Sequence, residues 1–279
     1  MPVLSPILTA FLLSLIAGMG TGLGGLIAVI RKPGPKLYGF LMGITAGVMI
    51  SLSFLELINE AWEMQGFLIA TIGFAAGAFV MFLLDVTIPH IRFGEAEIPH
   101  TDEDPVTESS YLRRGGHHRF GRLRHTKMVD RKLLKSGLLI AIGITLHNFP
   151  EGIAVGASYM YTPTFGYFIA IAILLHNIPE GIATALPLCK SGVCRWDSFK
   201  VAFLSGLAEP VGALLAAIFL TSFQVFIPVS LAFAGGVMVF ITLDELVPTA
   251  REHGHHHFSA VGIITGAIFV FLLSGIFGV

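Results

Sequence analysis

The sequence predicts an all-α polytopic membrane protein. Eight transmembrane helices are expected, with an inverted repeat relating helices 1–3 to helices 6–8 around a central pair, 4 and 5. Three observations carry this. The 279-residue chain is 54% hydrophobic and 13% charged, with a mean hydropathy of +0.80, where a soluble domain carries about 25% charged residues. Eight apolar stretches come close to or exceed the ~20 residues that cross a bilayer, at roughly 4–30, 37–58, 66–85, 136–159, 164–188, 199–221, 226–250 and 259–278. All 17 Lys and Arg fall between them or at their very edges, in alternate connections.

Residues 1–85 hold the first three spans. Met1 to Pro6 is uncharged, the apolar run after it is long, and Arg31 and Lys32 follow it. A cleavable signal peptide needs a basic start and a short apolar core, so the first run reads as a membrane helix with its N-terminus outside. The connection between spans two and three carries only Glu60 and Glu63. Residues 86–135 form the one long polar segment, rich in Glu, Asp, Arg and His, with Gly115-Gly116-His117-His118 inside it. It has too few apolar residues for a core and is expected to be flexible. Residues 136–188 hold the central pair, and 189–279 the last three spans.

The basic residues lie in the odd-numbered connections: Arg31, Lys32 and Lys36; Arg92 through Lys135; Lys190, Arg195 and Lys200; and Arg251. The positive-inside rule puts these connections in the cytoplasm and both termini outside. Cys189 and Cys194 then fall in a reducing compartment and read as ordinary thiols.

Two repeats stand out. His147-Asn148-Phe149-Pro150-Glu151-Gly152 returns 29 residues later as His176-Asn177-Ile178-Pro179-Glu180-Gly181. Ala46-Gly47-Val48-Met49, followed by Glu56-Leu57 and Ala61, returns in span seven as Gly235-Gly236-Val237-Met238, followed by Glu245-Leu246 and Ala250, at an offset of 189. Spans two and seven run in opposite directions in this topology. Inverted repeats of this kind mark secondary transporters, whose binding sites lie near the midplane.

In each hexapeptide His and Glu are four residues apart, hence on one helical face. The intervening Pro frees the carbonyl four residues earlier, at Leu146 and Leu175, and Gly152 and Gly181 allow close helix packing. His147 and His176 lie about 11 and 12 residues into their spans, near the midplane at 1.5 Å per residue. Span six adds Glu209-Pro210. Glu151, Glu180 and Glu209 have no Lys or Arg at their depth, and each unpaired charge there costs about 2.5–3.5 kcal/mol. Three would cost about 8–10 kcal/mol, similar to a whole domain's stability. The carboxylates must be protonated, as in a proton relay or buried network, or neutralised by an external cation. Two imidazoles beside them favour a divalent transition metal, so His147, Asn148, Glu151, His176, Asn177, Glu180 and Glu209 are the expected ligands.

Further out, Glu56 near the outer end of span two and Asp244 and Glu245 near the inner end of span seven are candidate entrance and exit ligands, or carboxylates in interfacial water. Met49 offers a thioether, though packing is the commoner role. Asp85 and His90 end span three on the cytoplasmic side. His253, His255, His256 and His257, and more weakly His117, His118 and His125, form tracts that can bind metal.

The doubled His-Asn-x-Pro-Glu-Gly, eight spans, Glu209-Pro210 and the polar third connection resemble the ZIP family of divalent-metal transporters, in its bacterial, GufA-like branch. The resemblance covers essentially the whole chain. It implies uptake of Zn2+ toward the cytoplasm across a bacterial inner (plasma) membrane, with Fe2+, Mn2+, Co2+ and Cd2+ as further substrates and no prosthetic group. It also implies a binuclear centre: His147, Glu151, His176 and Glu180 at one metal position, Asn148, Asn177 and Glu209 at the second, and Glu151 and Glu180 able to bridge. Helices 1, 4, 5 and 6 would move against 2, 3, 7 and 8. Many animal members instead carry His-Glu-x-x-His-Glu in helix 5, a difference bearing on metal selectivity. Divalent ions and lipid are the expected partners, a homodimer is compatible, and no nucleic acid is expected. The rival class is an intramembrane metal-dependent hydrolase, a non-transport use of the same ligands; the paired ligands and the inverted repeat favour a transporter that is not an enzyme.

Overall fold

The computed structural model describes residues 5–31, 33–87, 131–190, 192–252 and 256–279, with 131–140 described by backbone alone. His90, His117, His118, His125, His253 and His255 lie outside the described residues. Every regular element among the described residues is helical. α1 is Pro6–Ile30, opened by Ser5, whose Oγ accepts the Leu8 N–H at 3.3 Å, with Pro6 in the first turn where its missing donor costs nothing. α2 (Pro35–Ser51) passes through a π-helical segment, Leu52–Leu57, into α3 (Ile58–Thr87). α4 (Arg131–Tyr161) and α5 (Pro163–Lys190) follow, joined through Thr162, whose Oγ1 accepts the Phe165 N–H at 3.3 Å. α6 (Arg195–Gly206) and α7 (Ala208–Ser222) are separated at Leu207. α8 (Ile227–Ile241) leads through a second π segment, Thr242–Leu246, into α9 (Val247–Glu252), and α10 (His256–Phe277) closes the chain.

Six of these helical stretches are long and apolar enough to cross a membrane: Pro6–Ile30, Pro35–Thr87, Pro163–Lys190, Arg195–Ser222, Gln224–Glu252 and His256–Phe277. The 53-residue stretch is divided at Gly66, whose φ of 83° and ψ of 169° leave the helical region. A residue without Cβ takes that conformation at no steric cost. The connection expected at 59–65 is therefore helical, and the break comes at its last edge. Residues 59–65 contain no Gly or Pro and several good helix formers, so nothing stops the helix before Gly66. The sixth span is likewise not one straight helix. Pro210 cannot donate to the Gly206 carbonyl, and the chain tightens at Leu207, whose N–H bonds the Leu204 carbonyl three residues back at 3.1 Å.

α5 is the most enclosed helix, burying Phe165, Phe168, Ile169 and Ile173 together with the polar His176, Asn177 and Glu180. α1, α4, α5, α6 and α7 pack on one another as one group; α3 packs on α8, which also meets α4, and α2 packs on α10, both of which also meet α5. The outward faces of α3 and α10 are apolar, with Phe67, Phe79, Leu272 and Ile276 exposed, as suits an integral membrane protein.

In hydrocarbon, apolar burial drives no helix association, so close backbone approach through small residues takes its place. A Cβ on Gly152 would stand 1.9 Å from the Glu209 carbonyl oxygen, and one on Gly212 2.2 Å from that of Phe149. On the other side of the group, a Cβ on Gly181 would stand 1.9 Å from the Thr21 oxygen, and one on Gly24 1.9 Å from that of Ile178. The two sets match residue for residue: 152 and 149 on α4 with 181 and 178 on α5, and 209 and 212 on α7 with 21 and 24 on α1. Gly18 and Gly206 face each other between them, each Cβ position 2.3–2.4 Å from the other's carbonyl oxygen. The α2–α10 and α3–α8 pairs behave alike. Gly47 against the Ile263 carbonyl and Gly266 against that of Ile44 correspond, with each residue offset by 189 in one direction or the other, to Gly236 against Phe74 and Gly77 against Phe233.

Candidate metal centre

The two hexapeptides meet where α4 and α5 cross. His147 Nε2 lies 2.9 Å from Glu180 Oε1 and 3.0 Å from Glu151 Oε1, and His176 Nε2 lies 3.0 Å from the same Glu151 oxygen. All four side chains are 3% exposed or less. Donor atoms of His147, Glu151 and Glu180 fall within 4.8 Å of one another, a spread one metal ion can gather. At a divalent ion with ligand distances of ~2.0–2.2 Å, such a set supplies imidazole nitrogen and carboxylate oxygen.

The tautomer of His176 sharpens this. Its Nδ1 is 3.1 Å from the Ala172 carbonyl oxygen, which only accepts, so Nδ1 carries a proton. In the neutral ring Nε2 is then a lone pair aimed at the Glu151 carboxylate. Two acceptors at 3.0 Å repel unless a cation, H+ or metal, lies between them. A backbone carbonyl that fixes the far nitrogen of a ligating His is the usual outer support of a metal site.

The asparagines are oriented by the same logic. Asn148 Nδ2 donates to the Ser205 carbonyl and Asn177 Nδ2 to the Ala17 carbonyl, both at 3.0 Å. Those contacts fix the amide nitrogens outward and leave both Oδ1 atoms buried without a donor. Asn177 Nδ2 also donates to Glu209 Oε1. Glu209 is fully buried, near the start of α7. In all, Asn148 Oδ1, Asn177 Oδ1 and the Oε2 atoms of Glu151, Glu180 and Glu209 are buried oxygens with no hydrogen-bond partner. Such acceptors cost about 1–3 kcal/mol each, more when charged. A cation is a partner that a cluster of such acceptors can take.

The seven expected ligands thus gather on three helices, α4, α5 and α7. The outer residues divide. Glu56 and Glu245 lie in the two π segments and are 6% and 4% exposed, so neither sits in open interfacial water. π segments recur at functional sites because they push one side chain out of register. Met49 is fully buried, with its Sδ 3.6 Å from Thr242 Oγ1. Asp244, His256 and His257 are exposed, and Asp85 is half-buried. Cys189 is half-buried and Cys194 exposed, both free thiols. Sequence reasoning missed Thr45, which donates to the His176 carbonyl at 3.2 Å across from α2. A hydroxyl in an apolar span was its only signal.

The sequence profile of a family described as ZIP Zinc transporter matches residues 89–274 of this chain. Curated relatives named Zinc transporter ZupT are similar over nearly its whole length. That of Akkermansia muciniphila is 41% identical, with 94% of this chain and 95% of the relative covered. That of Chlorobium chlorochromatii is 39% identical over 94% and 95%, and that of Clostridium perfringens 35% over 94% and 93%.

Proposed function

The chain belongs to the ZIP zinc transporter family; it is a membrane protein for uptake of zinc and related divalent metal ions, and we propose that the metal crosses through the paired hexapeptides and Glu209. One metal position is formed by His147, Glu151, His176 and Glu180. A second is formed by Asn148, Asn177 and Glu209, with Glu151 and Glu180 bridging. The observation that carries this is the set of five buried oxygens without donors, beside two imidazoles whose lone pairs face carboxylates. The cargo includes Fe2+, Mn2+, Co2+ and Cd2+ beside Zn2+, because mixed nitrogen and oxygen ligands discriminate weakly among first-row ions.

The eight-span reading counts α1, the two arms of 35–87 on either side of Gly66, α4, α5, α6–α7, α8–α9 and α10. The matched glycine contacts support an inverted repeat of helices 1–3 and 6–8 around α4 and α5. Both termini lie outside and the basic connections inside. Movement of α1 and α4–α7 against α2, α3 and α8–α10 opens the centre to each side in turn. Glu56 with Met49 serves the entrance, and Glu245 with Asp244, and His255 beyond it, the exit. A homodimer in the lipid bilayer suits the exposed apolar faces. A metal-dependent hydrolase has less support: the relatives are named as transporters.

The test is uptake of radiolabelled zinc by vesicles holding only this protein. Wild type accumulates zinc; Glu151→Gln, which keeps the shape and loses the charge, does not. Equal uptake by both would overturn the site.

A further inference from the structure

Thr21 stands in α1 at the register that Glu209 occupies in α7. The carbonyl oxygen of Thr21 closes on Gly181 as that of Glu209 closes on Gly152. Ala17, four residues before Thr21, accepts from Asn177 as Ser205, four before Glu209, accepts from Asn148. Glu209 then reaches Asn177 across Gly18, whose Cβ position is 3.5 Å from Glu209 Oε1. The counterpart pairing is Thr21 with Asn148 across Gly206, whose Cβ position is 3.1 Å from the Thr21 Cβ.

The Thr21 hydroxyl is anomalous. Helical threonines return their hydrogen bond to the carbonyl four residues back, and Thr145, Thr184, Thr221, Thr242 and Thr265 all do so. Thr21 does not: it is fully buried and its Oγ1 has no partner. The carbonyl it would use, that of Ala17, is the one taken by Asn177. Asn148 Oδ1, on the same side, is also without a donor. Glu209 fills its half of the arrangement with a carboxylate; the shorter Thr21 leaves two neutral oxygens that do not bond each other.

We propose that Thr21 Oγ1 and Asn148 Oδ1 form a neutral oxygen pair at the metal centre, opposite the anionic Asn177–Glu209 pair, and that Thr21 sets how well oxygen-preferring divalent ions bind. This rests on the centre assigned above. Neutral hydroxyl and amide oxygens serve Mn2+ better than Zn2+, which the imidazoles hold. Removing the hydroxyl therefore weakens Mn2+ more than Zn2+.

The experiment is equilibrium dialysis of the full-length purified protein against Mn2+ alone and Zn2+ alone. Thr21→Val, which keeps the shape, is expected to raise the Mn2+ Kd about tenfold, the lower range for loss of a supporting group at a metal site, and the Zn2+ Kd less than twofold. Thr21→Ser should match wild type for both ions. Thr21→Ala removes the hydroxyl without the methyl packing and should repeat the Val result. Wild-type Mn2+ and Zn2+ binding in both Thr21→Val and Thr21→Ala, with Glu151→Gln binding neither ion, would overturn the role of Thr21 alone. Glu151→Gln binding zinc as wild type does would overturn the centre itself, and the proposal with it.

Discussion

The two hexapeptides share five of six residues, yet their surroundings differ. In α5, His176 is held at both ends, by the Ala172 carbonyl and by Glu151, and its own carbonyl is bonded by Thr45. In α4, His147 Nε2 meets both Glu180 and Glu151, while its Nδ1 is buried without a partner. Asn177 has a carbonyl and a carboxylate; Asn148 has a carbonyl alone. The α5 copy is held by more contacts than the α4 copy. Identical ligands therefore need not contribute equally, and charge is concentrated on the α5–α7 side.

The largest effect is expected where the halves share an atom. Glu151 Oε1 touches both imidazoles, so Glu151→Gln should reduce zinc uptake by more than about 100-fold, beyond the 10–100-fold typical of outer-shell changes. Next come the histidines, which separate the halves. Both His147→Ala and His176→Ala should bring uptake to background while the protein still reaches the membrane. Only His176→Ala should also lower the melting temperature, because it removes the buried Nδ1–H bond to the Ala172 carbonyl. Equal melting temperatures would remove the distinction. Asn177→Ala should then cost more uptake than Asn148→Ala, about tenfold for the latter, because Glu209 loses its only described donor.

A smaller effect concerns acid. Ligands must be deprotonated to bind metal, and H+ can occupy the same imidazole–carboxylate contacts as the cation. Uptake should fall as pH drops from about 7.5 to about 5.5; a flat profile would count against imidazole ligands. The smallest effect is steric. Gly152→Ala places a methyl 1.9 Å from the Glu209 carbonyl oxygen. Separating α4 from α7 should cost about 1–3 kcal/mol of stability, read as a lower melting temperature.

Much of this was legible in the sequence. The doubled His-Asn-x-Pro-Glu-Gly, at matched depth and without a basic partner, marked the candidate residues, and the helices bring their His and Glu side chains together. The apolar runs gave the helical class. What was hidden is instructive. The helix through 59–65 was taken for a connection because Glu60 and Glu63 are polar, but polarity does not end a helix; Gly66 does. The π segments carry no compositional signal, so the burial of Glu56 and Glu245 could not be foreseen. Thr21 escaped notice because α1 and α6–α7 match only at glycines and common apolar residues, such as Gly18/Gly206, Gly24/Gly212 and Leu26/Leu214, and Thr bears no likeness to Glu. Backbone register, not residue type, relates them.

The central claim is that imidazoles and carboxylates contributed by α4, α5 and α7 hold the metal inside the membrane. Zinc-edge X-ray absorption of the purified, zinc-loaded protein tests it most directly. The account predicts a nitrogen and oxygen shell near 2.0–2.1 Å with imidazole scattering that disappears in Glu151→Gln. A sulfur shell near 2.3 Å, or a spectrum unchanged by that substitution, would contradict it.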